Sequence, residues 1–68
     1  MDDALDPYEV ALRQLPTSYS LALRLRDARV SDQVICEYLA IEREALPTVL
    51  RIAEEKLAAA FARGLDPG

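Results

Sequence analysis

Sixty-eight residues allow one small domain, and a hydrophobic half made mostly of Ala and Leu, with few aromatics, favours packed helices over a sheet. Eight Lys and Arg stand against twelve Asp and Glu, for a net charge of −4, with no His and a single Cys. That balance argues against a strongly basic nucleic-acid arm, and the lone Cys36 rules out an intrachain disulfide and leaves no cysteine–histidine metal site. A reducing, cytoplasmic setting fits best. No apolar run approaches the roughly 20 residues of a membrane span, and the acidic amino terminus does not resemble a signal sequence.

Met1 to Leu5 reads as a frayed tail, and the initiator-like Met1 suggests that the chain is complete. Asp6-Pro7-Tyr8-Glu9 is a strong helix start: Asp6 can cap, Pro7 suits the first helical position, and Glu9 stands where a capping box wants it. Tyr8, Ala11, Leu12 and Leu15 share a face, and Pro16 ends this helix near Leu15. Pro16-Thr17-Ser18 opens a second helix. Its expected core stripe is Leu21, Ala22, Leu25 and Ala28, with Tyr19 and Leu23 to the side. Arg24, Arg26 and Arg29 leave its outer surface locally positive, with Asp27 among them.

Ser31 is a good N-cap for a third helix, with Asp32 at the positive end of the helix dipole. Val34, Ile35, Tyr38 and Leu39 are expected on its buried face, and Cys36 is expected to be a small core residue. Ala40-Ile41-Glu42 is a turn, with Ile41 pointing inward as a plug. The last helix carries Leu46, Leu50, Ala53, Leu57, Ala60 and Phe61 at spacings of three or four. Pro47 allows two readings: a helix that starts near Glu42 and is distorted by Pro47, which is favoured, or a separate turn before a helix starting at or just before Pro47. The helix is expected to fade by Arg63 with Gly64 as a left-handed cap, leaving residues 65–68 as tail. The expected architecture is all-α: a single domain over residues 1–68, a compact four-helix bundle with helices at about 6–15, 17–28, 31–39 and 43–62, containing a helix-turn-helix.

The segment from Leu15 to Leu57, about two-thirds of the chain, resembles the DNA-binding fourth region of bacterial sigma factors and, more distantly, the LuxR-type helix-turn-helix. The shared marks are the Leu15-Pro16 opening, the Leu-rich helix running into Arg24, the capped Ser31 helix with Ile35 and Leu39, Ile41 after the turn, and the closing Glu55-Lys56-Leu57. The resemblance implies a protein of transcription regulation that binds double-stranded DNA through the helix after the turn, as a dimer or within a larger complex. Arg43, Thr48, Arg51 and Arg29 are then the candidate DNA contacts.

The departures fall on the same surface. Ala40 stands where the family usually has Gly; Ala in a left-handed turn costs about 1 kcal/mol, which predicts a reshaped turn. Glu42, Glu44 and Pro47 replace a cap and polar or basic groups. From Pro7 to Leu65, eight acidic residues cancel eight basic ones, whereas phosphate neutralisation supplies most non-specific DNA affinity. The alternative is therefore a protein-interaction module that has lost its DNA face and docks on RNA polymerase, a sigma factor or another regulator. Val49 and Ile52, off the core stripe, are its candidate partner or dimer contacts; the plainer role is partial cover by the first helix. The plainer role for Arg51 is an ion pair with Glu55 one turn on. No nucleophile–base pair, phosphate loop or acidic metal cluster can be assembled, so the chain reads as neither an enzyme nor a cofactor or small-molecule binder.

Overall fold

The computed structural model describes residues 6–65. Among them lie four α-helices, one 3-10 turn and no strand: α1 Pro7–Arg13, α2 Thr17–Asp27, α3 Asp32–Leu39, the 3-10 turn Arg43–Ala45, and α4 Leu46–Leu65. The chain is all-α over this range. No helix in it is long and apolar enough to cross a membrane.

Local chemistry sets the helix starts. The Asp6 carboxylate accepts from the Tyr8 amide at 3.2 Å, with Pro7 at the first helical position of α1. The Ser31 hydroxyl accepts from the Val34 amide at 3.3 Å at the start of α3. Glu9 does not close the expected capping box; its carboxylate is turned to Arg24 and Arg13. At the start of α2, Pro16 contributes only its carbonyl, which accepts from the amides of Tyr19 and Ser20.

The ends of α2 and α3 are built alike. Arg29 adopts φ 64° and Ala40 φ 57°, both left-handed. After α2, the Val30 amide donates to Leu25 at 3.0 Å and the Arg29 amide to Arg26 at 2.9 Å. After α3, the Ile41 amide donates to Cys36 at 3.0 Å and the Ala40 amide to Glu37 at 3.3 Å. Both are Schellman closures, which satisfy the last carbonyls of a helix and usually place Gly at the left-handed position. Ala40 thus accepts the left-handed geometry itself, and the expected reshaping of the turn does not occur. A second left-handed position, Arg29, carried no sequence signal because it is not Gly or Asn.

The start of the last helix follows the less favoured reading of Pro47. A separate 3-10 turn, in which the Ala45 amide donates to Glu42, leads into an α-helix that begins at Leu46. Pro47 then falls in the first turn, where amides lack intrahelical partners and a missing N–H costs little. At the other end, α4 continues through Gly64 to Leu65, and no glycine among the described residues has positive φ. Gly64 is therefore not a left-handed cap; the rest of the expected tail, residues 66–68, lies outside the described residues, as does the frayed segment 1–5.

Two apolar clusters hold the helices. The larger joins Ala11, Leu12 and Leu15, Leu23, and Ala53 and Ala60, with Tyr8, Tyr19, Leu50, Leu57 and Phe61 packed on it. The smaller joins Ile35, Cys36 and Leu46, with Leu25, Val30, Leu39, Ile41 and Leu50 around it. Every residue of the expected α4 stripe enters one of these clusters, and Ile41 packs inward as expected. The stripes of α2 and α3 are rotated. Leu23, expected at the side, is fully buried, and Ala28, expected in the core, is exposed. On α3, Cys36 and Ile35 point inward while Val34 and Tyr38 are exposed, Tyr38 at 65%. The reason for the first shift is that α2 lies between neighbours, with Leu23 in the cluster of α1 and α4 and Leu25 in that of α3. The inward side of α3 is the one that carries Ile35 and Cys36, whose Sγ lies 3.8 Å from the Glu42 carbonyl.

Truncating Leu23 to Ala is expected to cost about 2–5 kcal/mol, a large part of the roughly 3–10 kcal/mol margin of a domain this small. Tyr38→Ala should stay within about 0.5 kcal/mol. Urea melts followed by circular dichroism check both. Ala40→Gly is expected to stabilise by about 0.5–1 kcal/mol, because the relief of left-handed strain exceeds the added freedom of the unfolded chain. A thermal melt raised by about 3–6 °C is the corresponding readout.

Candidate functional site

The α3–α4 junction is the surface on which the sequence places its candidates. Arg43 and Glu44 stand exposed on the 3-10 turn, and Glu42 precedes them. Pro47, Thr48 and Arg51 are exposed along the first turns of α4. Arg51 reaches Glu55 at 3.5 Å, with both side chains more than 60% exposed (63% and 67%), so the pair is a weak surface contact. Arg29 is exposed at the α2–α3 corner, away from the 3-10 turn in the chain. Val49 and Ile52 are half-buried and belong to neither apolar cluster.

Between the start of α3 and the start of α4 lies an open groove of about 480 Å³. Leu46, Pro47 and Leu50 supply its apolar lining, and Asp32, Arg43 and Glu44 its charged edge. Leu46 and Leu50 also belong to the core, so this lining is backed by packed side chains. A smaller hollow of about 160 Å³ lies at the α1–α2 corner against α4, lined by Gln14, Leu15, Pro16, Lys56, Ala59 and Arg63. The sequence reading names Arg43 but misses the groove. Its signal was the Leu46/Leu50 pair one turn apart, beside Pro47 in the first turn of α4.

The distribution of charge decides what these surfaces can bind. Arg24 grips Glu9 through two bonds of 2.8 and 2.7 Å, and Arg13 adds a third at 3.1 Å. The Arg24 and Arg13 guanidiniums hold the Glu9 carboxyl at about 2, against a usual 4.5. Arg26 pairs with Glu54 on α4 and lies 3.4 Å from Asp27. The Tyr8 hydroxyl donates to Asp27, and burial together with that carboxylate raises its pKa. Arg63 donates to Gln14 at 3.3 Å, and Lys56 sits over the Tyr19 ring, 5.5 Å from its centroid. Arg24 and Arg26, which the sequence offers as a positive outer surface, thus tie α2 to α1 and α4. Arg29 and Arg43 make no ion pair among the described residues.

Among the carboxylates the same sorting occurs. Glu9, Asp27, Glu54 and Glu55 are paired, Asp6 caps α1, and Glu37 accepts from Gln33 at 3.4 Å. Asp6, Asp32, Glu37, Glu42 and Glu44 have no cationic partner among the described residues, and the side chains of Asp32, Glu42 and Glu44 have no hydrogen-bond partner there either. Two of these three line the groove and the third precedes its 3-10 turn.

Compared with family models, with curated proteins and with solved structures, the chain matches none of them.

The lowered Glu9 value has a pH consequence with a definite sign. A carboxyl depressed in the fold contributes stability that is complete above its usual 4.5 and is lost as pH falls toward about 2. Glu9→Gln is therefore expected to flatten the fall in stability between pH 4.5 and 2. Urea midpoints measured across that window at low salt check it, and an unchanged slope would remove the assigned role of the Arg24–Glu9 pair.

Proposed function

We propose that this protein is a small helical interaction module, built on a sigma-like helix-turn-helix frame, that docks on another protein through the surface where α3 meets α4. The observation that carries this reading is the placement of charge. Of eight Lys and Arg, only Arg29 and Arg43 are free of a side-chain partner among the described residues. Unpaired Asp32, Glu42 and Glu44 surround the position of Arg43. A phosphate backbone needs several free cations and is repelled by carboxylates, so this surface suits protein far better than nucleic acid. The resemblance to the fourth region of sigma factors puts that protein in the transcription apparatus: RNA polymerase, a sigma factor or another regulator. Val49 and Ile52, half-buried and outside the clusters, extend the contact surface or serve a dimer of the chain.

A second reading, direct binding of double-stranded DNA, keeps one specific support. Arg43, Thr48 and Arg51 are all exposed, and among the described residues the only side-chain bond of Arg51 is the weak one to Glu55. The two readings part under titration of labelled protein with random duplex DNA at low salt, followed by amide NMR. A flat response over residues 42–52 is expected. Salt-sensitive shifts clustered there, abolished in the Arg43→Ala/Arg51→Ala double variant, would replace the docking reading with the DNA one.

A further inference from the structure

We propose that the groove between the starts of α3 and α4 takes a helical segment of a partner protein that carries an aliphatic or aromatic anchor flanked by Lys or Arg. This rests on the docking reading above and names its ligand. The argument begins with the lining. Leu46, Pro47 and Leu50 offer an apolar floor, and because Leu46 and Leu50 are held in the core it does not have to be assembled on binding. At about 480 Å³ the groove has room for a side chain or two of Leu, Met or Phe size, which is how an amphipathic helix enters an apolar groove.

The edge then selects the sign of the ligand. Glu9, Asp27, Glu54 and Glu55 are taken up by ion pairs among the described residues, yet Asp32 and Glu44 at the groove, and Glu42 beside it, are not. Unmatched carboxylates beside an apolar floor attract a segment whose anchor is bordered by cations and turn away acidic ones. Arg43 is the single cation at the edge, and it leaves an excess of one negative charge there. The same excess disfavours duplex DNA at this site.

The test uses the full chain and a panel of short helical peptides of identical Leu anchor, flanked by Lys, by Gln or by Glu. Amide shifts and fluorescence anisotropy report the site and the affinity. The Lys-flanked peptide is expected to shift Asp32 and residues 43–50 and to bind more tightly than the Glu-flanked one. Asp32→Asn/Glu44→Gln should weaken it by about threefold or more, as expected for two exposed charge pairs, and leave the Gln-flanked peptide unaffected. Glu44→Lys alone, which leaves the first turn of α3 intact, should lower Lys-flanked binding and raise Glu-flanked binding. If the three peptides bind the groove equally, the basic-ligand assignment falls while docking at this surface stands. If no peptide perturbs the groove, or if duplex DNA shifts these same residues in their place, both fall.

Discussion

The packing of Leu50 against both apolar clusters is the contact on which the arrangement depends. It lies on α4, whose later turns close the core of α1 and α2 through Ala53 and Ala60, while Leu46 closes the smaller cluster with Ile35 and Cys36. A single helix therefore serves two cores. The groove at its start is consequently anchored to the whole fold, and its floor has the rigidity of a packed interior. The apolar side of the groove therefore rests on Leu46, which is buried in the smaller cluster, and on the half-buried Leu50.

The polar contacts run on the opposite side of the same logic. Glu9 joins α1 to α2 through Arg24, Arg26 joins α2 to α4 through Glu54, and Tyr8 reaches Asp27. Exposed pairs of this kind contribute little each, and their larger effect here is on what remains. They engage Arg24 and Arg26 within the fold and leave carboxylates uncovered at the α3–α4 junction. The charge of the surface is thus a consequence of how the fold pairs its own side chains.

Two tight corners position α3 between these regions. Arg29 and Ala40 hold left-handed geometry that Gly would adopt more easily, and the Schellman hydrogen bonds that each corner gains offset the strain. The closure at Ala40 aims Ile41 into the smaller cluster and sets the Glu42 carbonyl over Cys36. The turn between α3 and α4 is defined by packing as much as by backbone preference, which is how it tolerates a residue with a Cβ.

What the sequence determined is whatever is decided within a few residues: the Asp6-Pro7 and Ser31 helix starts, the break at Leu15-Pro16, the turn after Leu39 and the apolar stripe of α4. Each depends on a cap, a proline or a spacing along one helix, and those act locally. What only the tertiary structure decided is the rotation of each helix about its own axis and the destination of each charge. Leu23 rather than Leu21 is fully buried, and Val34 and Tyr38 stay outside the core, because neighbours on particular sides fix those choices. Arg24 and Arg26 became internal ties because α1 and α4 bring Glu9 and Glu54 within reach across 15 and 28 residues of sequence. A periodicity shows that a helix has an apolar face; the partner that face meets, and the charges left uncovered afterwards, arise only when separate helices are brought together.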